Sequence, residues 1–331
     1  MRKVLGMTLL LLLLVVGICL FQCFCASDGT ISFLSPGNLS NLLQRIGMLG
    51  IYAIGAGIVI LSGGIDLSIG SVIALTGVVV AMLAIRGFNP WLVGLATLPI
   101  CGALGLWHGF LVSRLKLQPF IATLTSLLLL RGLSRGISGG ISQTMSGFKI
   151  LGNGSFLSIP TPWWGHGASM PIPIPFWILI GIALIMAFVM NFTVYGRYLY
   201  AIGRNEDAVR YSGVKVNRMQ TMAYVICAIL AGIAGIIELS YNGEVQPASS
   251  GLMYEMWAIA AAVLGGCSLR GGEGSIFGVI IGAALIKVMY NGINLIGVST
   301  EWEWAVIGIV ILGGVIADAV YKLRAAKKVK A

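Results

Sequence analysis

Few side chains in this sequence are equipped for chemistry, and most of them sit in apolar surroundings. There are two histidines, His108 and His166, and six cysteines. The cysteines (Cys19, Cys23, Cys25, Cys101, Cys227, Cys267) lie in or beside apolar runs without zinc spacing or a redox motif, and read as small apolar helix residues. No His-x-x-x-His or Glu-x-x-His pattern occurs, so a metal centre or a nucleophile–base pair has no candidates. No Gly-Lys-Ser or Gly-Lys-Thr follows the glycine-rich turns, so the chain has no loop to cradle ATP phosphates. What remains are charged groups in apolar stretches: Asp66, Glu238, Lys287 and Asp318. Such groups could couple a flux to protons or sodium, although most lie near the ends of apolar runs. Neutral polar groups within the runs are His108, Thr123, Thr125, Ser126, Asn291 and Asn294. Their ordinary use is to bond one helix to another. The expectation is a chain that is not an enzyme and binds no cofactor or metal.

The elements that must position these groups follow from composition. The chain has 331 residues, of which 58% are hydrophobic and 10% charged. Its mean hydropathy is +0.96. Soluble domains carry about 25% charged residues, so a water-facing surface of normal polarity cannot be built here. The reading is an all-α polytopic membrane protein, a single transmembrane domain over 1–331. A crossing helix needs about 20 mostly apolar residues. That rule gives ten spans, near 4–25, 44–62, 68–86, 91–113, 119–138, 174–193, 219–240, 253–268, 275–297 and 303–321. The count falls to eight if 119–138, which carries Arg131 and Arg135, and the short 253–268 do not cross. The run from Val4 to Cys25 is longer than a signal-peptide core of roughly 7–15 residues and reads as an uncleaved first helix.

Net charge is +10, and the basic residues gather between apolar runs and at both ends. That pattern points to membrane orientation and lipid headgroups, not to nucleic acid. With both termini in the cytoplasm, 15 of the 21 Lys and Arg residues fall inside, including a basic tail over 322–331. Only Arg86 and Lys149 fall in outer loops. The outer stretch 139–173, with Trp163 and Trp164 among prolines, reads as an interfacial segment: a short surface helix or a plain loop.

Three segments say more than "membrane span". In Leu61-Ser62-Gly63-Gly64-Ile65-Asp66-Leu67-Ser68-Ile69-Gly70-Ser71, Gly63 and Gly64 let the chain leave helical geometry. Asp66 or Ser68 can cap the next helix, or Asp66 can touch what passes through the bundle. In Leu264 to Gly278, Gly265 and Gly266 open a turn of the same grammar. Interrupted apolar segments in corresponding positions mark transport paths, so Gly63, Gly64, Asp66, Ser68, Gly265 and Gly266 are hinge and pathway candidates. The third segment is the cytoplasmic loop 195–220. Asn205 is a good N-cap, Glu206 and Asp207 suit a positive helix end, and Gly213 is a natural stop. A two-turn helix over Glu206–Ser212 follows, with Ala208, Val209 and Tyr211 free to pack. Short isolated helices are marginal in water, so this one needs a partner surface.

These blocks, in this order and spacing from about residue 45 to 320, resemble the permease subunits of ribose-type ABC importers. The resemblance rests on Ser62 to Ser71, on Ala201 to Ala208 with Ser212-Gly213-Val214, and on Val263 to Gly266 through Gly274-Ser275. It implies a bacterial inner-membrane subunit working with a second permease chain, identical or not. It further implies two cytoplasmic ATP-binding subunits, which use the ATP and magnesium, and an external sugar-binding protein. It assigns Gly203, Arg204, Asn205, Glu206, Asp207, Ala208, Arg210 and Gly213 to a coupling helix seated in the ATPase. The cargo implied is a pentose or hexose, alternatively autoinducer-2 or another small polar solute. An ion-coupled secondary transporter is the competing reading.

Overall fold

The computed structural model describes residues 2–25, 31–145, 148–165, 167–302, 304–309 and 312–313. His166, Asp318, the tail 322–331 and most of the span at 303–321 lie outside the described residues. Twelve helices follow in chain order among them: α1 (Arg2–Cys25), α2 (Pro36–Leu61), α3 (Ile69–Ile85), α4 (Pro90–Gly109), α5 (Pro119–Ser138), α6 (Ile150–Asn153), α7 (Ile174–Phe192), α8 (Val194–Arg204), α9 (Glu206–Tyr211), α10 (Val216–Asn242), α11 (Tyr254–Leu264) and α12 (Ile276–Leu295). Seven of them are long and apolar enough to cross a membrane: α1, α2, α4 with its extension to Arg114, α5, α7, α10 and α12. The chain is therefore an all-α polytopic membrane protein. Arg131 and Arg135 do not interrupt α5, which runs 20 residues.

Two expected spans are short. α3 has 17 residues and α11 has 11, or about 25 Å and 16 Å at 1.5 Å per residue. The hydrocarbon core is about 30 Å thick, so α11 is too short to cross it alone.

Local sequence sets the helix ends. Ser35 and Asn89 cap α2 and α4 by accepting backbone N–H groups, each followed by a proline at the first helical position. Gly139 and Gly243 close α5 and α10 in the left-handed conformation. α2 and α10 form the buried centre of the bundle. α1 lies outside against α12, with most of its leucines exposed. α4 packs on α10 through Gly105 and Gly109, one turn apart. A Cβ at Gly109 would stand 2.6 Å from the Thr221 Cα, so only glycine lets the two backbones meet.

The stretch 139–173 is neither a surface helix nor a plain loop. Strands β2 (Ser155–Pro160) and β3 (Ser169–Pro173) form an antiparallel hairpin around Trp163 and Trp164. Pro160, Pro171 and Pro173 lie in the two strands of this sheet, both of them edge strands, where a missing N–H is tolerated, and Pro162 opens the turn between them. A two-residue pairing, β1 (Gln143–Thr144) with β4 (Glu244–Val245), ties this region to the end of α10.

Candidate functional site

The two glycine turns are built alike. At the end of α2 the Gly64 N–H reaches back to the Val59 carbonyl, with Gly63 at φ +82°. At the end of α11 the Cys267 N–H reaches back to the Ala262 carbonyl, with Gly266 at φ +92°. Both are helix stops with glycine in the left-handed position. Gly63 therefore corresponds to Gly266, one residue off the match that the Gly-Gly pairs suggest.

The structure brings both turns and the α8–α9 segment to one place. The Gly272 N–H donates to the Leu61 carbonyl at 2.9 Å, joining turn to turn. Gly203, in the last turn of α8, lies over that bond: a Cβ there would overlap the Leu61 oxygen and the Gly272 nitrogen. Gly271 sits against it, its absent Cβ 2.8 Å from the Gly203 Cα and 2.9 Å from the Gly63 nitrogen. The Tyr200 hydroxyl adds a bond to the Gly274 carbonyl at 3.0 Å. Segments far apart in sequence thus meet backbone to backbone, with glycine on every side of the contact.

From this junction α9 projects as a small helix. The Asn205 side chain accepts the Ala208 N–H at 2.9 Å, which is the expected cap. Glu206 receives Lys116 Nζ at 2.8 Å and Gln220 Nε2 at 3.0 Å, and also pairs with Arg210 one turn on. Lys116, between α4 and α5, reaches it from a left-handed backbone at φ +56°, a conformation non-glycine residues adopt only when their surroundings enforce it. α9 buries no residue of its own, and Tyr211 is 91% exposed. Asp207, Ala208 and Arg210 are exposed with it.

Burial works upward on the Glu206 carboxyl, but the bonds from Lys116, Arg210 and Gln220 outweigh it and hold the group below its usual range. A depressed acid stabilises the folded form above its unfolded pKa and loses that contribution as pH falls through the folded value. The anchoring of α9 is therefore expected to be constant above about pH 4.3, the ordinary glutamate value, and to fail below it. Limited proteolysis of 205–213 between pH 3 and 8 checks this. Glu206→Gln should cleave faster at pH 7, by a few-fold, and show no acid step.

Asp66 lies in the non-helical stretch that leads from Leu61 to α3. It is 2% exposed, and its Oδ1 accepts the Ser68 N–H at 2.8 Å and the Ser68 hydroxyl at 2.6 Å. Ser68 makes no side-chain cap of its own. The carboxylate at the first turn of α3 comes instead from Glu255 of α11, which faces the Gly70 backbone.

Glu255 belongs to a second junction that the sequence reading missed. The loop 246–253 runs back into the bundle until Gly251 and Gly70 touch; a Cβ on either would overlap the carbonyl of the other. α3 and α11 both begin beside this contact, at Ile69 and Tyr254. Arg131 of α5 donates to the carbonyls of Pro247 and Ser250. Tyr254 stacks on Tyr52, ring centroids 5.3 Å apart, and its hydroxyl donates to Glu238 at 3.0 Å. Met253 takes φ +66° to make the turn into α11. The sequence did carry a signal: Arg131 in the middle of an apolar run, and a loop punctuated by Pro247 and Gly251.

The other polar candidates divide. Asn291 bonds Asn38 of α2, and Thr123 reaches the Ile65 carbonyl at 3.4 Å. Among the described residues Thr125 and Ser126 bond only carbonyls of their own helix. His108, expected to join two helices, is fully buried with neither ring nitrogen hydrogen-bonded among the described residues. The described residues hold no group of three His, Cys, Asp or Glu able to bind a metal.

Comparison with known proteins places this arrangement. Residues 38–315 match the family described as branched-chain amino acid transport system / permease component. The chain is similar to the ribose import permease protein of Escherichia coli strain K12, 39% identical over 87% of each chain. It is also 39% identical to the ribose import permease protein of Bacillus subtilis strain 168, over 87% of this chain and 86% of that one. The D-allose transport system permease protein of Escherichia coli strain K12 is 33% identical over 86% of this chain and 84% of its own. No solved structure matches the chain.

Proposed function

We propose, because this chain belongs to the branched-chain amino acid transport system / permease component family, that it is the transmembrane subunit of an ATP-driven importer for a simple sugar in a bacterial inner membrane. Relatives named for ribose and D-allose import support the substrate class. In this reading two permease chains stand side by side, two cytoplasmic ATP-binding subunits lie beneath them, and an external binding protein delivers the sugar. ATP and its magnesium belong to those partners. Both termini and the α8–α9 segment face the cytoplasm.

One observation carries the reading: Gly203, at the root of α9, presses on the bond that joins the two glycine turns. A push on α9 therefore reaches the ends of α2 and α11 through backbone contacts, without a flexible side chain between. The exposed Tyr211 is the apolar surface that a motor subunit would cover.

The junction of α3 and α11 supports a path. Gln246, Ala248, Ser249 and Leu252 of the re-entrant loop are exposed. Irregular backbone at membrane depth is tolerated only against protein or water, never against lipid. The face formed by this loop and α5 is thus suited to line an aqueous passage between two chains.

The test is reconstitution in proteoliposomes with the cognate ATPase and binding protein. Labelled ribose or allose should enter at least ten times faster with ATP than without it. No uptake should occur with the permease alone. Uptake driven by a proton or sodium gradient without ATPase would replace this reading with secondary transport.

A further inference from the structure

The junction of the three segments is not closed. A cavity of about 410 Å³ opens there, between the ends of α2 and α8, the α4–α5 loop and the turn after α11. That volume falls within the roughly 300–1,000 Å³ of small-molecule sites. Lys116, Arg204 and Arg270 line it, with Glu206 as the lone carboxylate. Glu206 is already held by Lys116, Arg210 and Gln220. Arg204 and Arg270 have no acidic or hydrogen-bonding partner for their guanidinium groups among the described residues. They come from the two segments that meet at the Gly203–Gly271 contact, and the Arg204 stem lies directly over Gly272. Gln118 and Ser62 add neutral groups to the same wall.

We propose that this cavity binds a phosphate monoester of a small polyol, with the phosphate between Arg204 and Arg270 and the hydroxyls on Gln118 and Ser62. Two arginines lining one opening suit a dianion that accepts forked hydrogen bonds. A neutral sugar cannot neutralise them. The basic residues of a cytoplasmic face commonly meet lipid headgroups, which carry phosphate too, but this opening is walled by backbone turns and admits a compact ester. A bound ester cross-links the α8–α9 root to the turn after α11 and so resists their relative movement. This last step rests on the importer reading: the phosphorylated form of the imported sugar would then slow its own supply.

The experiment uses the full chain in lipid nanodiscs without anionic lipid, and titration calorimetry with ribose 5-phosphate. Saturable binding is expected, weakened at least tenfold in Arg270→Gln and in Arg204→Gln. It should be unaffected in Arg197→Gln, an exposed cation outside the cavity. Unphosphorylated ribose should bind at least tenfold more weakly. Wild-type binding that is absent, or unchanged in both cavity variants, overturns the proposal. Equal affinity for inorganic phosphate reduces the site to a non-specific anion contact and also overturns it. So does tighter binding of phosphatidic acid, added to the nanodisc, than of the free ester. Calorimetry is then repeated on the chain assembled with its ATPase; loss of the site there would mean the ATPase fills it, and would overturn the proposal. Because binding is read on the permease alone, failure of sugar uptake leaves this result interpretable.

Discussion

Gly203→Val is expected to abolish ATP-driven uptake, to below a tenth of the wild-type rate, in a chain that still inserts and still binds its partners. Gly203 is not in a left-handed conformation, so the demand there is for space and not for backbone freedom. A Cβ would overlap both ends of the Gly272 N–H to Leu61 carbonyl bond. Overpacking costs about 1–3 kcal/mol, and here the atoms that must yield are backbone. The expected response is that α8 lifts off the two turns while the rest of the bundle stays intact. Gly203→Ala decides between contact and propensity. In a helix interior alanine is favoured over glycine by about 1 kcal/mol, so a neutral or stabilising result would show that the close approach does not matter. The measurements are uptake, ATPase rate with the binding protein present, and thermal melting. Loss of uptake with ATPase activity retained would be uncoupling at the junction. Uptake unchanged in the Val variant would remove the backbone link that the transport reading depends on.

The contrast with Gly213 sharpens this. Gly213 takes φ +83° but has open space where a Cβ would go, so Gly213→Ala meets only local strain. Its effect should be several-fold smaller than that of Gly203→Ala. Two glycines ten residues apart in one loop thus serve different ends, one for shape and one for proximity.

The parts of this site that were legible in advance are those governed by neighbours in sequence. Asn205 before Glu206 and Asp207, with Gly213 beyond, spells out a capped short helix, and α9 has that form. The glycine pairs announce helix stops because the left-handed position is chemically expensive for other residues. What no local rule could supply is the meeting of Leu61, Gly203 and Gly272, since each is an unremarkable residue in its own segment. Lys116 reaching Glu206 across 90 positions is of the same kind. Asp66 shows the limit from the other side. Its place before α3 invited a capping role, yet it bonds Ser68 just ahead of the helix while Glu255, from a distant segment, stands at the first turn. The hairpin over 155–173 was missed because tryptophan and proline near a membrane suit an interfacial segment equally well. The pairing that selects the strand joins Ser155 to Pro173 at one end and Pro160 to Ser169 at the other, partners beyond the reach of a local pattern.

Arg131→Leu is expected to be the most damaging change on the membrane side of the molecule. In the sequence Arg131 only weakens an apolar run, but its guanidinium fastens the re-entrant loop by the carbonyls of Pro247 and Ser250. Hydrogen bonds to charged groups contribute about 1.5–3 kcal/mol. Its charge also faces Glu255 and Glu238, both buried. No ion pair joins Arg131 to either carboxylate among the described residues, so the bonds to the two carbonyls set the expected cost. A loss of about 2 kcal/mol in this region should release the loop from Gly70 and leave α11 without a fixed start. Uptake should fall more than tenfold, and melting should shift down even without partners. Arg131→Lys keeps the charge and enough donors, since the single Nη1 nitrogen serves both carbonyls, but it sets them on a shorter stem as a point charge, so it should recover stability before it recovers uptake. Pairing Arg131→Leu with Glu255→Gln removes one orphaned charge and should restore part of the melting temperature. If the double variant is no more stable than Arg131→Leu, the charge pairing is not what holds the loop. If Arg131→Leu itself melts like wild type, the loop is held by the Gly70–Gly251 contact alone.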